Sequence, residues 1–383
     1  MPIILAILAL SILVFFHELG HFLSAKISGV KVEEFGVGYP PRIFGFYKKN
    51  SQYRFFWGKK IPEKEELHTI YSLNWIPFGG FNQLKGEAGE GASLKKEKES
   101  FMAQAWYKKA FISFSGALMN IILAFLIFSA CFFYGMPQAL EGGVKGRVIE
   151  KKGVQIIAVM PGSPAEKVGL KMGDVILKID NQEVVGSEEV QGEIRKRKNE
   201  EISLTLKRGF RILEKKVRVG DASQIYPQVK ESYGAIGISP VEIGIVRYSL
   251  GQSIINGFKT TFFLTGQMFY GVGLFFKSIF IEKAKIIKQI VGPVGVGAMI
   301  SQAAEVGFAY FFQLLGLLSL ALGVCQLIPF PALDGFRVVT SLIEGVRKKP
   351  VNPKIEAMAI NFGFFFILFL MIVVTSREII GFF

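Results

Sequence analysis

The chain has 383 residues, half of them hydrophobic, and a mean hydropathy of +0.38. That is too apolar for a soluble domain of this size, and several runs are long enough to span a hydrocarbon core of about 30 Å. The net charge of +14 points to basic segments facing anionic lipid headgroups. It does not point to nucleic acid, because no zinc-knuckle, RNP-like or helix-turn-helix pattern accompanies it.

The start, 1–25, is predicted to be a first membrane span. It has no Lys or Arg ahead of its apolar stretch and no small-residue cleavage site, so it does not read as a cleaved signal peptide. Near its far end stands His17-Glu18-Leu19-Gly20-His21. On a helix His17 and His21 lie one turn apart on one face, where two imidazoles grip one divalent metal, usually zinc. Glu18 falls on the adjoining face, placed to take a proton from a water at the metal. A chance H-E-x-x-H is common enough on soluble helices. Ionisable groups within a membrane run are expensive, however, and mark function. At about 1.5 Å per residue His17 lies ~24 Å along the helix, close to one membrane face.

The segment 26–107 is polar and is expected to be a cytoplasmic or interfacial region with β-structure. Its Gly- and aromatic-rich start, Phe35 to Phe46, reads as short extended strands dipping towards the interface. Tyr53 to Trp57 and Thr69 to Trp75 read as two more strands, Trp75 to Phe81 as a turn followed by an aromatic edge, and Gly86 to Ser100 as an exposed Glu/Lys-rich loop. The polar stretch 48–66 matches no element. A second span is predicted at 108–135, with Asn120 as an amide deep in an apolar helix. Its bland reading is a helix–helix hydrogen bond, and its functional one a polar group turned towards the metal.

The segment 141–239 alternates strand, turn and helix signals and is expected to be a small β-sandwich of about 90 residues. The segment 248–303 is predicted to be amphipathic and interfacial, since 260–276 is barely long enough to span. A third span over 308–335 ends in Pro329-Phe330-Pro331-Ala332-Leu333-Asp334-Gly335, and a fourth is expected at 357–376. Cys131 and Cys325 each sit inside an apolar run and make no disulfide framework.

Catalytic zinc usually takes three protein ligands. Only three histidines exist, and His68 lies among Glu and Lys in a loop, where it reads as a surface residue. Asp334, an acid on a Pro-broken turn just past a span, is the best third ligand; alone it would also suit a turn or an N-cap. Topology agrees. Basic residues outnumber acidic ones in 26–107 and in 335–356, which places both connections in the cytoplasm and both termini outside. Two crossings between them then bring His17, His21 and Asp334 to one face. Glu18 would pass the proton it takes to the leaving amine, with Asn120 an oxyanion donor. A helical substrate must unwind, and the strand region around Gly36, Val37 and Gly38 is the candidate to hold it extended by strand addition.

These residues resemble the site-2 protease family of intramembrane zinc metalloproteases, in its RseP-like branch with a single PDZ domain. The likeness rests on the His17–His21 pentad, the Gly116 to Asn120 motif, Gly292-Pro293-Val294-Gly295, and Leu333-Asp334-Gly335. The Pro-Gly-Ser-Pro-Ala pattern from Pro161, running on to Gly173-Asp174-Val175-Ile176, is similar to bacterial PDZ domains. Two departures stand out: Ala117 replaces a family proline, and Gln326 stands where the family carries a substrate-contacting asparagine.

The resemblance implies a polytopic α-helical membrane protein of about four transmembrane helices with an inserted small β-rich PDZ domain. It implies Zn2+ held by His17, His21 and Asp334, with Glu18 catalytic. The implied substrate is a single-pass membrane protein, such as an anti-sigma factor or a signal-peptide remnant. The implied place is the bilayer of a bacterial cell membrane, with an extracytoplasmic PDZ domain that binds a peptide. Two rivals are a gluzincin-type protease, which would need a third-ligand Glu, and a non-catalytic PDZ-bearing scaffold or stress sensor.

Overall fold

A computed structural model describes residues 2–49, 51–58, 69–87, 97–141, 143–209, 211–226, 231–281 and 291–380. His68, residues 50 and 59–66 of the unassigned polar stretch 48–66, and the centre of the 86–100 loop lie outside these residues.

In chain order, α1 (Pro2–Ser28) is followed by β1 (Val32–Lys49), β2 (Gln52–Trp57), β3 (Ile70–Leu84) and α2 (Trp106–Tyr134). Next come β4 (Met136–Ala139), β5 (Arg147–Val159), α3 (Pro164–Lys167), β6 (Val175–Ile179), β7 (Gln182–Glu183) and α4 (Ser187–Lys196). After these run β8 (Glu201–Arg208), β9 (Arg211–Arg218), β10 (Gly220–Asp221), α5 (Ala222–Ile225), β11 (Gly234–Ala235) and β12 (Ile238–Arg247). The chain closes with α6 (Leu250–Ile281), α7 (Pro293–Val306), α8 (Phe308–Gln326), α9 (Asp334–Arg347) and α10 (Pro353–Ile380). Four of these helices, α1, α2, α8 and α10, are long and apolar enough to cross a membrane. The chain divides into two units, one of residues 1–127, 258–301 and 314–383, the other of 128–257 and 302–313.

In the first unit α1 runs unbroken through the histidine pentad. It stops where Gly29 turns to φ +80°, with Val30 N–H donating to Ala25 O at 2.9 Å and Gly29 N–H to Lys26 O at 3.2 Å. This is the double hydrogen bond of a glycine-terminated helix. The reversal sends the chain into a three-stranded sheet of order β2-β1-β3. Phe22, Ala25, Val30, Val32, Phe35, Leu84 and Ile112 pack into one buried cluster that joins α1, the sheet and α2. Within the sheet the buried Glu34 carboxylate accepts from Arg42 Nε at 2.7 Å and Ser72 Oγ at 2.6 Å.

Trp75 to Phe81 lies inside β3, so the expected turn before the aromatic edge is strand. An irregular register lets β3 pair twice with β1, so that Phe35, Gly36 and Val37 lie between Tyr71–Leu73 on one side and Gly80–Asn82 on the other. In the region 248–303 the helix is longer than the 260–276 stretch weighed from the sequence. Leu250–Ile281 is one helix of 32 residues that carries Lys259 and Lys277 within it, followed after an undescribed stretch by α7. It is not among the four helices apolar enough to span.

The second unit holds one connected seven-stranded sheet of path β4-β12-β5-β6-β8-β9, with β7 on β6, and a separate two-stranded ribbon β10-β11. The expected sandwich of two sheets is thus replaced by a single sheet, and its strands run from Met136 to Arg247, beyond the predicted limits of 141 and 239. Alternation fixes the inward face: Ile202, Leu204 and Leu206 of β8 are buried, together with Val154, Ile156, Ile176 and Val217. The Pro161–Leu170 motif starts α3, where Ser163 Oγ accepts from Glu166 N–H at 3.3 Å and Glu166 Oε2 accepts from Gly162 N–H at 2.6 Å.

Candidate metal centre

The site lies wholly in the first unit. Because α1 is unbroken, His17 and His21 project from one face. Their Nε2 atoms stand 3.2 Å apart, and Asp334 Oδ2 lies 3.0 Å from His17 Nε2 and 3.1 Å from His21 Nε2. Asp334 reaches them because α8 ends at Gln326 and a proline-rich turn, in which Ala332 adopts φ +80°, starts α9 at Asp334 itself. Gly335 lies against the carbonyls of Leu327 and Ile328, and a Cβ there would stand 2.5 Å from Ile328 O. The Pro-to-Gly signature therefore folds the chain back on itself tightly enough to aim one carboxylate.

The donor set fits zinc. Ligands about 2.0–2.1 Å from a tetrahedral ion stand ~3.3 Å from one another, close to the spacing of these three atoms. Ile112 O lies 2.8 Å from His21 Nδ1. The Nδ1–H donates there, leaving the Nε2 lone pair free for a metal. Burial pushes the Asp334 carboxyl up, but the two imidazoles outweigh it and hold the group well below the usual carboxylate range.

The neighbouring helix is shaped to this centre. A Cβ on Gly116 would lie 2.7 Å from Cε1 of both His17 and His21, and one on Gly20 would run into the Ser115 carbonyl. Ser24 Oγ and Ser115 Oγ are 2.6 Å apart. Small residues thus let α1 and α2 touch backbone to backbone, as small-residue faces do in membrane bundles.

A cavity of about 260 Å³ opens on the centre, lined by Glu18, Tyr39, Asn82 and Gln326 beside the three ligands. Glu18 has no hydrogen bond or ion pair among the described residues. Gly80 faces it, and a Cβ there would stand 3.6 Å from Glu18 Cγ, so the sheet approaches the carboxylate without covering it.

Of the residues singled out from the sequence, His17, Glu18, His21, Asp334 and Gln326 come together at the cavity. Asn120 does not line it. Fully buried, it packs near Gly323 of α8, its carbonyl accepts from Ser319 Oγ at 2.8 Å, and its amide has no partner among the described residues. Gly36 and Gly38 are not at a free edge either. The β1 run through Gly36 is paired on both sides, a Cβ on Gly36 would strike the Phe81 ring, and Asn74 Nδ2 donates to Gly38 O at 3.0 Å. Residues that sequence reading missed also line the cavity: Tyr39, Asn82, Glu87 and Arg337. Arg337 had a signal, since it lies three positions after Asp334 and so on the same helical face. Glu87 had none.

Two histidines on an apolar helix of spanning length, an aspartate brought to them by the turn after another such helix, and a glutamate with no partner among the described residues define a membrane metallopeptidase of the H-E-x-x-H class. The model of peptidase family M50 matches residues 5–57 and 56–370, and the chain belongs to that family, the site-2 proteases. A Clostridium perfringens protein carried under a zinc metalloprotease name is 32% identical over 381 residues, covering 99% of both chains. Zinc metalloprotease RasP of Shouchella clausii is 27% identical over 461 residues, again covering 99% of both. The chain is therefore a zinc metalloprotease and a multi-pass membrane protein, and the scaffold and gluzincin readings fall. Among solved structures, the PDZ domain of an SdrC-like protein from Listeria innocua is 27% identical. It covers 23% of this chain and 93% of that one, with a TM-score of 0.20, too slight a likeness to build on.

Proposed function

We propose that this enzyme cuts single-pass membrane proteins within their apolar span, as in the regulated proteolysis of an anti-sigma factor or the clearance of signal-peptide remnants. The observation that carries this reading is the position of His17 and His21 inside α1, a helix long and apolar enough to cross a membrane. A site built into such a helix meets substrates that share the bilayer.

When bound, zinc supplies Lewis acidity, lowering the pKa of a water towards about 7 and polarising a carbonyl. Glu18, without a partner among the described residues, takes a proton from the attacking water and delivers it to the leaving amine. His17, His21 and Asp334 hold the metal, and Ile112 O fixes the His21 tautomer. The Gln326 amide, on the cavity wall, is placed to donate to a substrate carbonyl. Strand addition remains the way to present an unwound substrate. The edge that suits it is Gly80–Asn82 in β3, which among the described residues pairs with β1 on one side only and borders the cavity, rather than Gly36–Gly38.

Both termini and the 141–239 domain lie outside the cytoplasm in this reading, with the site near the cytoplasmic face of a bacterial cell membrane. The basic excess of the connections supports it. The inserted domain acts as a PDZ module. A groove of about 340 Å³ beside α4, lined by Ile194, Arg195 and Ile236 to Pro240, supports peptide binding there. No nucleic acid is part of this function.

The test is cleavage of a single-span reporter by purified enzyme in proteoliposomes, with the new termini mapped by mass spectrometry. Cuts inside the apolar span support the reading. Cuts confined to the soluble flanks would refute it.

A further inference from the structure

The cavity wall carries one acid and one base that the reaction above leaves unassigned. Arg337, on α9 one turn beyond Asp334, is ion-paired through Nη1 to Glu87, just beyond the end of β3. It is the only Lys or Arg among the described residues that line the metal cavity. Together with Phe101 the pair also lines a second cavity of about 510 Å³, which reaches Glu356 and Asn361 at the start of α10. Glu87 and Arg337 therefore stand in the partition between the two spaces.

Three carboxylates border the metal cavity: Glu18, Glu87 and Asp334. Asp334 is engaged by two imidazoles and Glu87 by a guanidinium, while Glu18 has no partner among the described residues. With a divalent metal in place, the three negative charges meet two positive charges on the ion and one on Arg337, so the pocket is neutral. A carboxylate stripped of its partner in such an enclosed space is strongly unfavourable and is drawn to the nearest positive centre. Glu87 lines the same cavity as the metal ligands, so the metal position is a positive centre open to it.

We infer that Arg337 is a positioning residue that acts through Glu87: it holds this second carboxylate away from the metal, keeping the remaining coordination position open and leaving Glu18, among the described carboxylates that line the cavity, to act as the base. The inference rests on the metal centre and on the role proposed for Glu18. It differs from a merely structural role in the sign it predicts for metal binding. A loosened fold would weaken zinc, whereas a released Glu87 would tighten it while slowing the reaction.

The test uses the full chain in detergent, measuring zinc retention against a competing chelator and, at saturating zinc, kcat and KM for a membrane-span substrate. Arg337→Gln is expected to retain zinc about tenfold more tightly, with kcat down at least about tenfold and KM changed less than about threefold. Glu87→Gln, which leaves the guanidinium to the Asp334 and Glu356 carboxylates, should loosen zinc. The double variant Glu87→Gln/Arg337→Gln should bring both zinc retention and kcat back to within about threefold of wild type. Arg337→Lys, which keeps the charge, should stay near wild-type zinc retention.

Weaker or unchanged zinc in Arg337→Gln, or a double variant no better than the single one, would overturn the inference. If Arg337→Gln does not fold, the loosening in Glu87→Gln and the return in the double variant carry the same decision. The zinc readout stands whatever the cleavage assay gives. A wild type that cuts nothing, or a Glu18→Gln that cuts equally, counts against the role of Glu18. A Glu18-dependent wild type with an unaffected Arg337→Gln counts against Arg337 alone.

Discussion

His21 Nε2 and Asp334 Oδ2 lie 3.1 Å apart although 313 positions separate them in sequence. One comes from the interior of the first apolar helix, the other from the first residue of α9, and between them the chain builds the whole second unit. Without Asp334 the two imidazoles make an incomplete centre for a catalytic zinc, which takes three protein ligands. Replacing Asp334 by Ala should therefore reduce zinc affinity at least about 100-fold, since disturbing even the groups behind a ligand costs 10–100-fold. Metal analysis of the detergent-purified variant checks this, and stoichiometric zinc would refute it.

Gly116 has no room for a side chain, since its Cβ would press on the Cε1 atoms of both histidines. Gly116→Ala should cost about 1–3 kcal/mol in overpacking and displace the imidazoles from their shared point. Zinc content and the thermal unfolding midpoint should both fall. A variant with normal zinc and normal stability would show that the α1–α2 approach is looser than described.

Arg42 partners a nearly dry acid: the Glu34 side chain is 3% exposed and that of Arg42 17%. Truncating Arg42 to Ala strands the Glu34 carboxylate beside Ser72 and should cost about 3–5 kcal/mol. The sheet that places Gly80 opposite Glu18 would loosen with it. Limited proteolysis of the 32–84 region should become faster in Arg42→Ala and return towards wild type in Arg42→Ala/Glu34→Gln, which removes the stranded charge. Equal proteolysis rates in Arg42→Ala and wild type would contradict this.

Much of this was legible in the sequence, for reasons visible residue by residue. The four spanning helices follow from uncharged apolar runs, and the His17–His21 pentad carries its own geometry because helical spacing is fixed. Asp334 was reachable because the chain offers no third histidine at a span and the charge balance of the connections brings this acid to the face of His17 and His21. The inward alternation of Ile202, Leu204 and Leu206 marked β8. Tertiary pairing was not legible. Nothing local says that β3 pairs twice with β1, which turns Gly36 and Val37 from an edge into a sheet interior and, among the described residues, moves the free edge to Gly80–Asn82. Asn120 looked like a donor because it is an amide among apolar residues. Its depth between α2 and α8, away from the cavity, depends on how two helices pack. The ion pair of Glu87 with Arg337 joins residues 250 positions apart, and charge alone gave no reason to match them. Leu250–Ile281 was underestimated because Lys259 and Lys277 look like boundaries, yet Lys is a good helix former and interrupts nothing.

The central claim is that Glu18 performs the proton transfers at a zinc held by His17, His21 and Asp334. The most direct measurement compares wild type and Glu18→Gln on a single-span substrate, with zinc content determined in the same samples. The account predicts equal zinc in both proteins, cleavage by wild type that a chelator stops and added zinc restores, and at least about 100-fold slower cleavage by Glu18→Gln. Equal cleavage rates in two equally zinc-loaded proteins would contradict it.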